Sequence, residues 1–202
     1  MSAGHLLSEI AAAIGGKLSG IDRRITGLSI DTRQPFAPED TLFIAIQGTN
    51  HAAHAHIPGL QQRGVCAFLV RQGSAKADAE SSFIEVADTL LALQAIAAGH
   101  RAQFSIPVVG ITGSNGKTVV KEWLYQLLHA DEHIVRSPGS WNSQVGVPLS
   151  VWEMNDTHTL GLFEAGISEP GEMQALAKII APKLGIFTNI GPAHSWNFIR
   201  DK

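Results

Sequence analysis

One cysteine, Cys66, is all the chain contains in 202 residues, so no internal disulfide can form and a cross-linked secreted scaffold is excluded. Cys66 sits in the apolar run Val65 to Val70 with no charged neighbour, the setting of a buried, inert thiol, and a reducing cytoplasm is expected. No apolar run is long enough to span a bilayer. Met1 to Ile14 lacks the basic segment and long apolar core of a signal peptide, so membrane insertion is not expected. Positive charge is also short. Lys and Arg number 15 against 18 Asp and Glu, with no basic stripe, which argues against non-specific nucleic-acid binding. What the chain does have is a 45% hydrophobic content, enough for a folded core in one or two domains.

The first part reads as short mixed elements. Leu7 to Ile14 patterns as a helix with Ser8 as its N-cap and Gly15-Gly16 at its end. Strands are expected at Ile25 to Ile30, Thr41 to Gln47, Val65 to Val70 and Ser82 to Val86, with a loop or helix start at His51 to Pro58. Asp88 is placed to cap a helix running to about His100. From Ile106 strands alternate with helices. Strands are expected at Val108 to Thr112, Ile134 to Arg136, Leu160 to Ala165 and Leu184 to Thr188. Helices are expected at Lys117 to Ala130, Gln144 to Trp152 and Gly171 to Ile180. Such alternation implies a mainly parallel sheet covered by helices. The fold class is therefore α/β, with a small mixed domain over residues 1–85 and a parallel-sheet domain over 86–202.

The strongest chemical signal is the run Val108-Val109-Gly110-Ile111-Thr112-Gly113-Ser114-Asn115-Gly116-Lys117-Thr118. An apolar strand enters a glycine turn and a helix follows at once. Gly113 and Gly116 let backbone amides approach an anion, and the helix N-terminus adds unpaired N–H donors. Lys117 can reach the outer phosphates of ATP, and the Thr118 hydroxyl can ligate Mg2+. Gly113, Ser114, Asn115, Gly116, Lys117 and Thr118 are thus the candidate nucleotide contacts. The loop is the short Gly-Ser-Asn-Gly-Lys-Thr form, with Ile111 where the longer phosphate loop carries glycine. The helix behind it patterns with Val120, Trp123, Leu124, Leu127 and Leu128 on one apolar face.

Ligands of an open parallel sheet gather at the carboxyl ends of its strands. Glu164 ends one such strand, and His194 follows another after Asn189-Ile190-Gly191-Pro192. Together with Thr118 they form a candidate Mg2+ site. Asn142, in Trp141-Asn142-Ser143-Gln144, fits either the γ-phosphate or a helix N-cap. His51, His54 and His56 lack the acidic or cysteine partners of a zinc site and read as a polar loop.

Together these motifs resemble the Mur ligase family. Gly113-Ser-Asn-Gly-Lys-Thr118, Glu164-Ala-Gly-x-Ser-x-Pro-Gly-Glu172 and Thr188-Asn-Ile-Gly-Pro-Ala-His194 stand in that family's order and at similar spacing. Ser29-Ile30-Asp31-Thr32-Arg33, Leu42 to Gly48 and His54 resemble its uridine-nucleotide-binding first domain. No Gly-x-Gly-x-x-Gly precedes residue 85, unlike the first two ligases of the pathway. The resemblance is greatest to the member that adds D-Ala-D-Ala to UDP-N-acetylmuramoyl-tripeptide, in the version fused to an alanine racemase, with the diamino-acid-adding member as the alternative. It implies a cytoplasmic, ATP- and Mg2+-dependent peptidoglycan ligase working through an acyl phosphate. In it Lys117, Glu164 and His194 would be catalytic, and Thr118, Glu164 and His194 would hold the metal. Ser29, Asp31, Thr32, Arg33, Gly48 and His54 would bind substrate. Ala52-Ala53-His54 departs from the family's Asp-Gly-His. The family has three domains, so the chain is expected to be an N-terminal fragment, inactive alone, with the central domain truncated. A phosphate-loop kinase or motor ATPase would carry a longer loop and a strand-end Asp. A non-catalytic nucleotide-sugar-binding module would be indifferent to loss of Lys117.

Overall fold

The computed structural model describes residues 4–33, 37–48, 51–75 and 80–191. The chain divides into two compact units, residues 1–96 and 97–202.

The N-terminal unit runs β1 (His5–Leu6), α1 (Leu7–Ile14), β2 (Lys17–Ser19), β3 (Arg24–Ile25), β4 (Gly27–Ser29), β5 (Thr41–Ile44), β6 (Gln47–Gly48), β7 (His51–Ala52), α2 (Ile57–Gln62), β8 (Ala67–Arg71) and β9 (Ser82–Val86). Its main sheet has the order β2-β9-β8-β5-β4, parallel throughout except for the antiparallel β2–β9 pair. Every residue of β5 and the first four of β8 are buried, which is why both read as unbroken apolar runs. Phe68 stacks on Phe83 with centroids 5.3 Å apart and meets Phe43 edge-on at 6.4 Å.

Local details differ from the sequence expectations for identifiable reasons. The expected strand Ile25 to Ile30 is two strands, because β3 pairs antiparallel with β1 while β4 pairs parallel with β5. The expected strand Thr41 to Gln47 ends at Ile44. There Ile46 N–H turns back onto the Ile44 carbonyl at 2.9 Å, and β6 pairs with β7 instead. Ser8 does not cap α1. Leu6 holds that position, its N–H bound to Glu9 Oε2 at 2.9 Å, while Ser8 binds Asp22 through backbone and hydroxyl. Gly15, at φ +65°, ends the helix as expected.

The C-terminal unit begins within α3 (Thr89–Arg101), whose first amides at Leu90 and Leu91 are capped by Asp88 Oδ1 at 2.8 and 2.9 Å. It continues with β10 (Val108–Thr112), α4 (Lys117–Leu128), β11 (Ile134–Arg136), α5 (Gly146–Trp152), β12 (Leu160–Glu164), α6 (Glu172–Ile180) and β13 (Leu184–Phe187). The sheet order is β11-β12-β10-β13 and every pairing is parallel. Val108, Phe163, Val151, Leu176 and Ile179 build the core of this unit. The buried Arg101 guanidinium binds the carbonyls of Phe104, Ile180 and Ala181, placing positive charge at the C-terminus of α6. The apolar face expected on α4 is rotated. Trp123 is 63% and Leu127 74% exposed, and the one fully buried side chain of that helix is Lys121.

His54 ties the turn at residues 53–56 to β8, its Nε2 accepting the Arg71 N–H at 3.3 Å. Burial, with a smaller push from Arg71, holds its pKa below the ordinary 6.5. An acceptor nitrogen must stay unprotonated, so the hydrogen bond and the lowered pKa agree. Between the two values the unfolded chain binds the extra proton, so stability falls as pH drops through about 6.5. The melting temperature of wild type will therefore fall more steeply from pH 7.5 to 5.5 than that of His54→Gln, whose amide accepts without titrating. Parallel curves would contradict this.

Candidate functional site

The site lies at the carboxyl ends of β10 and β12, neighbours in register with Ile111 opposite Glu164. Gly113 turns the chain at φ +131°, and Gly116 at φ +81° forms the N-cap of α4. Both angles favour glycine. Gly113 is constrained by space as well: a Cβ there would collide with the Thr188 hydroxyl and lie 2.9 Å from Asn189 N.

The loop is held from outside by residues 188–191. Thr188 Oγ1 donates to the Asn115 carbonyl at 2.6 Å, and Ser114 N–H donates to the Asn189 carbonyl at 3.0 Å. Asn115 N–H donates to Asn189 Oδ1 at 2.9 Å, and Gly191 N–H to Ser114 Oγ at 2.8 Å. These amides are engaged by protein. The opening amides of α4 have no carbonyl of their own helix to bind. Lys117 Nζ folds back onto the Gly113 carbonyl at 2.8 Å, at the wall of a cavity of about 480 Å3. Thr112, Gly113, Ser114, Asn142 and Glu172 share that wall, with Ile167, Met173 and Phe187 on its apolar side.

Behind the loop stands Glu164, with no exposed surface. Its Oε2 accepts the Thr118 hydroxyl at 3.0 Å and lies 3.5 Å from Asn142 Nδ2. Oε1 has no hydrogen bond among the described residues but stands 3.0 Å from Lys121 Nζ. Lys121 in turn donates to the Ser137 carbonyl at 2.6 Å and to that of Gly139, and Glu122 Oε1 lies 3.2 Å away. Glu122 also pairs with Arg136, whose guanidinium lies 3.7 Å over the Tyr125 ring. Burial alone would raise the Glu122 pKa, but hydrogen bonds from Lys121 and Arg136 outweigh it and the net shift is downward.

Of the expected site residues, the fold brings Gly113, Ser114, Lys117, Thr118, Asn142 and Glu164 to one place. Asn142 is not the cap of α5; Ser143 Oγ takes the Gly146 N–H at 3.1 Å and leaves the Asn142 amide turned to Glu164. His194 lies outside the described residues. In the N-terminal unit Asp31 and Arg33 pair with each other, Arg33 Nε and Nη2 donating to the two carboxylate oxygens at 3.0 and 2.9 Å. Those bonds hold the Asp31 carboxyl below the usual carboxylate range. Ser29 Oγ donates to the Asp31 carbonyl at 3.2 Å, and the Thr32 carbonyl accepts from Arg63. Gly48 sits in β6. No three His, Cys, Asp or Glu side chains converge among the described residues, His54 and His56 included, and the His51 side chain lies outside them.

The two described donors for a cation are the Thr118 hydroxyl and Glu164 Oε2. Mg2+ takes one or two carboxylates beside phosphate oxygens and water, so a single carboxylate oxygen next to a hydroxyl suits it. Lys121, Ser137, Thr188 and Asn189 escape a reading by residue type. Lys121 left a signal in sharing the helical stripe of Leu124 and Leu128, where an apolar residue would be ordinary, and Thr188 and Asn189 open the motif that runs to His194.

Residues 111–198 match the Mur ligase middle domain. The UDP-N-acetylmuramoyl-tripeptide–D-alanyl-D-alanine ligase of Synechocystis sp. is 34% identical over 174 residues, 86% of this chain and 38% of that protein. The crystal structure of MurF from Acinetobacter baumannii superposes with a TM-score of 0.86 at 28% identity, covering 96% of this chain and 43% of that one. MurF from Thermotoga maritima, solved in complex with ADP, gives 0.73 at 28% identity over 84% of this chain and 38% of that one. The chain spans about two-fifths of the length of the curated relatives it matches.

Gly113→Ala will disturb this site even without a ligand, because the residue is barred both by φ and by Thr188 and Asn189. The expected cost is about 1–3 kcal/mol, read by thermal or urea unfolding. A variant as stable as wild type would show that residues 188–191 do not brace the loop.

Proposed function

The chain belongs with the Mur ligase family, and we propose that it is the front portion of a ligase that adds D-Ala-D-Ala to UDP-N-acetylmuramoyl-tripeptide at the expense of ATP. The observation that carries this reading is the convergence of Lys117, Thr118 and Glu164 at the ends of two adjacent parallel strands, with the Thr118 hydroxyl 3.0 Å from the carboxylate. The named reaction of the Synechocystis relative supplies the substrate class, and the ADP complex of the Thermotoga structure supports a nucleotide in the cavity. Asp31, Arg33, Ser29, Thr32, Gly48 and His54 are the proposed contacts for the uridine nucleotide. The motif resemblance alone supports a cytoplasmic location and an alanine racemase domain fused to the ligase.

The chemistry needs the γ-phosphoryl group of ATP to pass to the terminal carboxylate of the peptide, giving an acyl phosphate that the amine of D-Ala-D-Ala then opens. Phosphoryl transfer asks for positioning and neutralised charge more than for a covalent partner. Lys117 would leave the Gly113 carbonyl to meet the outer phosphates, while the N-terminus of α4 faces the same charge. Thr118 and Glu164 would hold Mg2+, and His194 is proposed as a further ligand. Bound there, the ion neutralises charge on the transferring group. Asn142, beside Glu164, would orient the γ-phosphate through its amide.

The test is phosphate release by the full-length protein, which should require ATP, Mg2+, UDP-N-acetylmuramoyl-tripeptide and D-Ala-D-Ala together. Replacing D-Ala-D-Ala by a diamino acid, with the corresponding dipeptide nucleotide, should give none. Lys117→Ala should lower the rate by about a hundredfold or more while leaving the melting temperature within a few degrees. Turnover with the diamino acid instead would reassign the substrate. Undiminished turnover in Lys117→Ala would reject the assignment of the loop.

A further inference from the structure

Glu164 offers two oxygens, and only Oε2 meets the Thr118 hydroxyl. The other is taken by a side chain that the chemistry above does not use. Lys121 is fully buried on α4, and its ammonium has three protons for four surrounding oxygens: the carbonyls of Ser137 and Gly139, Glu122 Oε1 at 3.2 Å and Glu164 Oε1 at 3.0 Å. A buried ammonium is tolerated only when paired and hydrogen-bonded, and here the pairing fixes the carboxylate. The same contacts fasten the segment from Ser137 to Gly139, and Ser137 Oγ accepts the Glu164 N–H at 3.1 Å. Three residues beyond Gly139, that segment delivers Asn142 to Glu164 Oε2. One cation thereby sets the rotation of the carboxylate and the path of the strand-to-helix connection beside it.

We propose that Lys121 is a positioning residue that determines metal selectivity: by occupying Oε1 it makes Glu164 a one-oxygen ligand and so favours Mg2+ over Ca2+. The inference rests on the nucleotide-site reading above. Its physical basis is the difference between the two ions. Mg2+ holds a small octahedral shell and binds carboxylates through single oxygens, whereas Ca2+ accepts more ligands and commonly takes both oxygens of one carboxylate. With Oε1 pinned to an ammonium, the two-oxygen mode is closed. Lys121 has no exposed surface and does not line the cavity. Its effect is therefore on the ratio of the two affinities and not on phosphate contacts, which belong to Lys117 and the loop.

The experiment is calorimetric titration of ADP into the intact protein with saturating Mg2+, with saturating Ca2+ and with neither, for wild type, Lys121→Met and Lys121→Arg. Wild type should bind more tightly with Mg2+ than with Ca2+. In Lys121→Met the ratio of the Ca2+ to the Mg2+ dissociation constant should fall about tenfold, because Glu164 can then present both oxygens. Metal-free affinity should stay within about twofold. Lys121→Arg, which keeps the charge against Oε1, should restore most of the wild-type ratio. Lys121→Gln retains donors for the two carbonyls and carries the same test if Lys121→Met does not fold. A purely structural role would weaken both metals alike, so a folded neutral variant with the wild-type ratio overturns the proposal. Wild type that binds ADP equally with and without metal would instead reject the metal-nucleotide reading beneath it.

Discussion

A carboxylate with no exposed surface has to be balanced from within, and in the C-terminal unit that requirement organises everything near the phosphate loop. Glu164 is charge-paired by Lys121, and Lys121 reaches it only because α4 starts where the loop ends and lies against β12. The same ammonium satisfies carbonyls of the segment after β11. Strand, helix and connecting loop thus share one buried ion pair. Removing either partner leaves an uncompensated charge in the interior, a larger disturbance than the loss of an ordinary surface salt bridge. The arrangement also explains why α4 carries a lysine where its apolar stripe calls for leucine.

Much of the architecture was legible in the sequence because its periodicities are strong. The strands Val108–Thr112, Ile134–Arg136 and Ser82–Val86 fall where the apolar runs put them, and Asp88 caps α3 as its position suggests. The phosphate loop was legible because so few glycine patterns precede a helix with Lys-Thr. Other features depended on partners distant in sequence. Nothing local says that Ile25 and Leu28 belong to different sheets, or that Trp123 and Leu127 face outward while Lys121 faces in. Asn142 was ambiguous between cap and ligand, and its neighbour Ser143, taking the Gly146 amide, removes the cap reading. Charge pairs between distant segments leave no periodic trace, which is why the Lys121–Glu164 contact needed coordinates.

The two units also divide the labour of stabilisation differently. The N-terminal unit relies on aromatic packing of Phe43, Phe68 and Phe83 inside a five-stranded sheet. The C-terminal unit places polar chemistry at strand ends and anchors its helices by buried hydrogen bonds, with Arg101 closing the end of α6 and His100 Nε2 2.9 Å from the Met154 carbonyl. An open parallel sheet of this kind leaves a crevice where strands diverge, and the 480 Å3 cavity occupies that position beside β10. Its walls combine glycine backbone, one lysine and a carboxyl group with apolar side chains, a composition suited to a ligand with one charged end.

The bracing of the loop by residues 188–191 bears on the order in which the molecule is completed during synthesis. Asn115 is bound by a hydroxyl 73 positions later, and Ser114 by a carbonyl 77 positions later. A nascent chain therefore exposes its glycine turn to solvent while β11, α5, β12, α6 and β13 are still being added. The turn acquires its final shape only when the last of these strands docks against β10. Such long-range closure is slow relative to local helix formation. The shape of the glycine turn is thus gained only after residues 188–191 have been made, later than the turns of α4 that follow it directly.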